Sequence, residues 1–278
     1  MENILHMGPN YRFQLLAPPA RNGSFGRSQI NEQLYDHYLH SLQKLRGKLY
    51  LKDGAIQPWQ LDDEGRFTMP ADEKSWHFLL LDDAHEVTGC ARYLVHPNTV
   101  RFERLRISRS PLANDRFFGP KVRQAVEADL AAARRHGMSY VEAGGWALAE
   151  DWRGSRAALE IIVASYALAH FWGGCLGSCQ ATVRHGSSSI LRRTGGAELV
   201  SAGEALPPYE DPHYGCTMEL LRFDSRAPSQ RFVPLINQLK AKLAGSVAVR
   251  IARNHMWRPV PSAVGSRLGL LRGVPAYQ

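Results

Sequence analysis

Residues 140 to 158, Tyr-Val-Glu-Ala-Gly-Gly-Trp-Ala-Leu-Ala-Glu-Asp-Trp-Arg-Gly-Ser-Arg-Ala-Ala, carry the pattern with the most chemical content in this chain. The apolar run from Tyr140 to Leu148 has strand character. A short acidic turn leads into Arg153-Gly154-Ser155-Arg156-Ala157-Ala158, and from Ala157 the chain reads as a long apolar helix. A strand, a glycine-containing turn and a helix start expose several backbone N–H groups at the positive end of a helix dipole. That arrangement suits a phosphate or pyrophosphate. It suggests a reaction with a phosphate-bearing carrier.

The flanking sequence supplies the elements that must hold this turn. Tyr11 to Leu16 alternates as a first strand, and Ile30, Leu34, Tyr35, Tyr38, Leu39, Leu42 and Leu45 give a helix over 28–45. Residues 53–75 are polar and turn-rich, a long loop or hairpin. Trp76 to Asp82 and Glu86 to Val95 form a β-hairpin, and Arg101 to Ile107 is a further strand or extended segment. Lys121 to His136 is a helix stopped by Gly137. The helix over 155–172 is apolar on nearly every side and is expected in the core. A strand over Leu176 to Val183, a helix over Ser187 to Arg193 and a final strand over Cys216 to Phe223 complete a mixed α/β order.

The 278 residues, 44% hydrophobic and 22% charged, suffice for one large domain or one domain with an extension. The chain has no run long and apolar enough for a spanning helix, and Met1-Glu2-Asn3-Ile4 lacks a secretory pattern. The four cysteines are scattered. Cys175 and Cys179 have loosely metal-like spacing but no partner pair, so reduced thiols in a cytoplasmic protein and no metal site are expected.

The net charge of +8 is unevenly placed. Residues 226–278 hold nine Lys or Arg and no acid, which leaves 25 basic and 26 acidic side chains for residues 1–225. The expected organisation is therefore a near-neutral domain over 1–225 and a basic extension over 226–278. Nothing in it resembles a nucleic-acid module. Phe232, Ile236, Leu239, Leu243, Val247 and Ile251 form one stripe at helical spacing, with Arg231, Lys240, Lys242, Arg250 and Arg253 around it. Such a basic amphipathic helix, over 231–253, can meet the inner membrane surface or an acidic acyl carrier protein, or pack on the body. Residues 254–278 are expected to be poorly ordered unless docked.

The strand–helix–strand–helix unit resembles the acyl-CoA-binding core of the GNAT acyltransferase superfamily. Arg153, Gly154 and Ala158 fit that family's Arg-Gly-x-Gly-x-Gly/Ala phosphate loop, with Arg156 where the middle glycine is expected. His185-Gly-Ser-Ser-Ser-Ile-Leu-Arg-Arg-Thr-Gly-Gly196 is similar to its second short helix. Two segments point to a branch. Gly89-Cys-Ala-Arg92-Tyr-Leu94 is similar to the Gly-x-x-Arg-Leu-Leu strand of acyl-homoserine-lactone synthases. Glu142-Ala-Gly-Gly145-Trp146-Ala-Leu148 sits where those enzymes and the N-acyl amino acid synthases carry Glu-x-x-Arg-Phe-x-Val. Gly145 replaces that arginine, and no N-terminal pattern of lactone synthases is recognisable.

The resemblance implies a mixed central sheet flanked by helices, with the strand before the phosphate loop splayed from its neighbour. The backbone near Trp146, Ala147 and Leu148 would then bind the pantetheine arm of acyl-CoA or acyl carrier protein. The amides of 154–158, namely Gly154, Ser155, Arg156, Ala157 and Ala158, would hold phosphate, with the Arg153 and Arg156 side chains meeting a carrier's phosphate and acidic surface. The implied activity is transfer of an acyl group, long-chain by its branch, to the amine of a small acceptor such as an amino acid. Short-chain acetyl transfer and a non-catalytic carrier-binding or membrane-associated module are the alternatives.

Such a transfer needs a base for the amine, stabilisation of the thioester oxygen and a proton for the leaving thiolate. Glu142 is the first candidate base and His185 the second. Tyr214, or Tyr209, is a candidate proton donor. Arg92 is a candidate orienter of a substrate carboxylate or of Glu142. The apolar helix after Ala157 and the segment around Phe117-Phe118 are candidate borders of an acyl tunnel.

Overall fold

The computed structural model describes residues 11–19 and 27–252. In chain order the elements are β1 (Arg12–Leu16), β2 (Ser28–Ile30), α1 (Glu32–Lys52), β3 (Trp76–Leu81), β4 (Val87–His96), α2 (Pro111–Asn114), α3 (Gly119–Arg135), β5 (Ser139–Leu148) and α4 (Arg156–Ala169). They continue with β6 (Cys175–Thr182), α5 (Ser187–Thr194), β7 (Ala197–Glu198), β8 (Val200–Ser201), β9 (Glu204–Ala205), β10 (Tyr209–Asp211), β11 (Cys216–Asp224), α6 (Val233–Ala244) and β12 (Ala248–Arg250).

One large mixed sheet runs β10-β11-β6-β5-β4-β3-β1-β12-β2, with β7 added on β11. Side chains alternate between its faces. Leu79, Leu81, Cys90 and Ala147 pack under α1, and Tyr140, Leu176 and Leu220 pack with α3 on that same side. Phe78, Leu80, Ala91, Tyr93, Val141 and Phe223 face α4 and α6. Helix α4 is buried almost throughout, as its all-round apolar sequence requires.

Helix α1 starts later and runs further than its apolar spacing predicts. Asn31 accepts the N–H of Leu34 at 3.0 Å and caps it, while Ser28–Ile30 pairs with β12. Its C-terminal turns carry Arg46, Leu49 and Tyr50 to the sheet. Gly47 lets the 53–75 segment lie against the helix, since a Cβ there would stand 2.3 Å from the carbonyl of Gly65. The expected strand over Arg101 to Ile107 is instead two short 3-10 turns. Both edges of β4 are already taken by β3 and β5, so no pairing partner remains there.

The basic C-terminal stripe does not form one helix. It breaks at Gly245, and 248–250 enters the sheet as β12, parallel to β1 and β2. Ile236, Leu239 and Leu243 are buried against α4, so the apolar face of α6 is covered by the body and is not presented to a membrane. Arg253 and the 254–278 segment lie outside the described residues. Among the described residues no helix is long and apolar enough to cross a membrane.

Candidate active site

Strands β5 and β6 run parallel from Ser139 opposite Cys175 to Ala143 opposite Cys179, and there the pairing stops. Both strands continue, β5 to Leu148 and β6 to Thr182, so the edge of β5 past Ala143 that faces β6 has no strand partner. On its other edge β5 stays bonded to β4, with Cys90 opposite Ala147 and Arg92 opposite Gly144. Gly145 and Trp146 together oppose Ala91, which makes a β-bulge.

The bulge changes which residues share a face. Glu142 follows Tyr140 onto the α1/α3 side, yet Ala147 is also on that side and Leu148 faces α4. Gly145 takes the left-handed conformation, φ 61°, and a Cβ there would lie 3.1 Å from both Arg46 Nη1 and Arg92 Cβ. The space is filled by arginine after all, delivered from α1.

A cavity of about 810 Å³ passes through the gap and is lined from both faces of the sheet, within the roughly 300–1,000 Å³ of small-molecule sites. From the α4 face come Ala91, Tyr93, Ile161, Ile162, Tyr166 and Phe223; from the other come Tyr50, Met69, Arg92, Arg106, Glu142 and Tyr214. Among the described residues its charged lining is Arg92, Arg106, Arg153, Arg184, Arg193, Arg222 and Arg231 against Asp53 and Glu142. That excess favours anionic ligands.

The turn before α4 forms one end. Gly154 has φ 75°, and Ser155 caps the helix, its hydroxyl accepting the N–H of Ala158 at 3.3 Å and donating to the carbonyl of Trp152 at 2.6 Å. Arg153, Gly154, Ser155 and Ala158 line the cavity, as do Trp146, Ala147 and Leu148. Two residues grouped with them by sequence are placed elsewhere. Ala157 is core. Arg156 turns away, Nε donating to Glu160 Oε1 at 3.1 Å and Nη2 to Gln238 of α6, because a buried carboxylate is available one helical turn ahead. The carbonyl of Trp146 accepts the hydroxyl of Tyr50 at 3.0 Å.

Glu142 and Arg92 stand at the other end, both buried. Glu142 Oε1 accepts the N–H of Ile107 at 3.0 Å, and Oε2 lies 3.0 Å from His96 Nε2. Each carboxylate oxygen keeps a further lone pair for a ligand. The sequence signal missed His96, although its place four residues after Arg92 on an alternating strand puts both on one face.

Behind this end is a buried charge cluster that no local pattern announces. Asp72 accepts Arg46 Nη1 at 2.9 Å, Gln43 Nε2 at 3.1 Å and the N–H of Met69 at 3.1 Å, while Arg46 also donates to the carbonyl of Phe67 at 3.0 Å. Burial pushes the Asp72 carboxyl up, but the Arg46 ion pair outweighs it and holds the group well below 3.8. His77 is buried and held at about 4 by desolvation, its Nε2 2.7 Å from the carbonyl of Asp72. Arg92 reaches Asp72 only at 3.5 Å.

Tyr214 lines the cavity on the Arg92 side, whereas Tyr209 is buried with its hydroxyl 3.1 Å from Gln180 Oε1. The backbone of His185 lies in a 3-10 turn after β6; its side chain is outside the described residues. Phe117 is 64% exposed under Lys121, held there by Asp115, which accepts the N–H groups of Phe117 and Phe118 at 2.7 Å each. That segment does not border the cavity, but Ile161, Ile162 and Tyr166 of the apolar helix do.

No family model and no curated protein matches the sequence. Solved structures do match. The CoA-dependent acyl-homoserine lactone synthase BjaI, determined with SAM and isopentyl-CoA, is 13% identical with a TM-score of 0.50 over 86% of this chain and 93% of that one. The acyl-homoserine lactone synthase LasI is 16% identical, TM-score 0.47, over 80% and 94%. FeeM, an N-acyl amino acid synthase from uncultured soil microbes, is 13% identical, TM-score 0.47, over 80% and 93%. The strand opened at Ala143 and the helix capped at Ser155 thus belong to a chain that shares its overall fold with the structure of BjaI.

Proposed function

We propose that this protein is an N-acyltransferase that moves an acyl group from a phosphopantetheine thioester, on CoA or acyl carrier protein, to the amine of a small acceptor. The observation that carries this reading is the continuous cavity through the β5–β6 gap. It joins an anion-ready helix start to a buried carboxylate past the edge of β5 that has no strand partner, along which a pantetheine arm would lie. Main-chain groups of that edge would bind the arm and face the thioester oxygen. Arg153 and the free first-turn amides of α4 would take the phosphate. The apolar lining from α4 would receive the acyl chain.

In this reading Glu142 holds the acceptor's ammonium and draws off its proton, with His96 as the next partner in line. The neutral amine attacks the thioester carbon, a C–N bond forms, and the C–S bond breaks. The nitrogen gives up its remaining extra proton through Tyr214 or water, which protonates the departing thiolate, leaving an amide and a free thiol. Incubation with acyl-CoA or acyl carrier protein and a panel of amines should release thiol, with the amide seen by mass spectrometry. Absence of thiol release with every pair would overturn the reading. Glu142→Gln should lower kcat by roughly 10²–10⁴-fold while donor binding changes little; unchanged turnover would remove Glu142 from the chemistry.

A further inference from the structure

The edge of β5 that faces the gap is already met by one side chain. Ala149 donates to the carbonyl of Thr88 at 2.8 Å, and Ala147 stands opposite Cys90. Bonded pairs alternate along an antiparallel ladder, so the N–H of Ala147 points to β4. Its peptide is trans, which sends the carbonyl of Trp146 the other way, off β4 and toward the gap. Past Ala143 no strand pairs with that edge. The carbonyl is nevertheless satisfied, because the hydroxyl of Tyr50 donates to it at 3.0 Å.

Tyr50 comes from the last turn of α1, lies edge-on to Phe67 with 5.8 Å between ring centroids, and lines the cavity. The preceding carbonyl, that of Gly145, accepts Cys90 Sγ at 3.4 Å, so both bulge carbonyls have a side-chain donor. A hydroxyl has one proton and two lone pairs. Having given its proton to Trp146, Tyr50 Oη is an acceptor for whatever enters the gap. Burial pushes the phenol up, so it keeps that proton at neutral pH. Along β5 the chain runs from Glu142, beside which the amine would sit, to Leu148, next to the phosphate turn. Trp146 therefore meets the sulfur end of an arm laid on this edge.

Resting on the acyltransferase reading, we infer that Tyr50 is a donor-binding residue whose hydroxyl stands between strand and arm, accepting the pantetheine amide N–H nearest the sulfur while donating to the carbonyl of Trp146. The arm reaches the strand's carbonyl at this point through a relay of two hydrogen bonds, each polarising the other. Helix α1 thereby takes part in holding the donor, a role that its apolar spacing does not announce.

The test compares S-octyl pantetheine, which cannot transfer its chain, with an analogue carrying an ester oxygen in place of that N–H. By calorimetry wild-type protein should bind the amide about tenfold more tightly, since the ester loses the hydrogen bond and sets its lone pairs against Tyr50 Oη. Tyr50→Phe keeps the ring against Phe67 and should bind the two alike. With octanoyl-pantetheine as donor, Tyr50→Phe should raise the donor KM about tenfold and leave the acceptor KM unchanged. A merely structural role would weaken amide and ester together. Thiol release with no amide preference in wild type, or with the preference kept or enlarged in Tyr50→Phe, would overturn the relay and leave the acyltransferase reading intact. Absence of thiol release with every amine, alongside an amide preference that Tyr50→Phe removes, would overturn the reading of the reaction while supporting the relay. No binding of either pantetheine compound would overturn both.

Discussion

The two ends of the cavity, donor and acceptor ends in the function we propose, are built in opposite ways. The donor end is a continuous stretch of chain in which Arg153, Gly154, Ser155 and Ala158 follow one another, and a single side chain, Ser155, fixes its geometry. The acceptor end is assembled from α1, the 53–75 segment, β4, the 3-10 turn at 106–109 and β5, which meet only in the folded molecule. A local device can be tuned without disturbing the fold. An assembled one ties specificity to global stability, because the groups that select the ligand also hold the elements together.

The largest effect should come from Asp72→Asn. It leaves Arg46, fully buried, and Arg92 without a counter-charge, a loss of about 3–5 kcal/mol. Urea denaturation should show a much lower midpoint; a loss under about 1 kcal/mol would mean the acceptor end is not held by this ion pair. Because the folded state keeps Asp72 ionised far below 3.8, its contribution is complete above that value and fades only as pH falls through the folded value.

His77 supplies a second pH dependence at the same end. Its folded value of about 4 lies below the ordinary 6.5, so the unfolded chain takes up a proton that the folded chain refuses. Stability should therefore be full above pH 6.5 and decline as pH falls toward 4, by at most about 3 kcal/mol. His77→Gln, which keeps a donor for the Asp72 carbonyl, should flatten this part of the pH–stability curve. An unchanged slope between pH 7 and 4.5 would show that His77 is not the group responsible.

This contrast also explains what could be read in the sequence. The donor turn was legible because its information is consecutive: strand, glycine, cap, apolar helix. The hairpin of β3 and β4 and the burial of α4 were legible by periodicity for the same reason. Arg92 and Glu142 were reachable only through resemblance, and the structure brings them to one wall. Arg46, Asp72 and Arg106 carried no such signal, since each becomes informative only beside residues distant in sequence. The C-terminal stripe misled for a related reason: Leu243, Val247 and Ile251 keep helical spacing across Gly245, but Ala248 and Val249 are drawn into the sheet by β1 and β2. Arg156 pairs instead with Glu160, a buried acid one turn on in a helix read as apolar on nearly every side.

Gly145→Ala tests how sharply the acceptor end is shaped. A left-handed φ costs a non-glycine residue roughly 1–3 kcal/mol, and the new methyl would press on Arg46 and Arg92. Stability should fall by that amount and acceptor KM should rise, with donor KM held. Equal changes in both KM values would mean that the bulge serves the whole β5 edge and that the two ends are not independent.

Ser155→Ala should have the smallest effect. It removes the cap of α4, about 1 kcal/mol by thermal or urea denaturation, and frees the N–H of Ala158 at the start of the helix. Its kinetic trace should appear in the donor KM alone, and the acceptor KM should stay at the wild-type value. A change in acceptor KM would show that the donor turn and the acceptor wall are coupled through α4, which packs against β3 and β4 along the cavity. An unchanged acceptor KM with a raised donor KM would place the boundary between the two functions at the gap where β5 leaves β6.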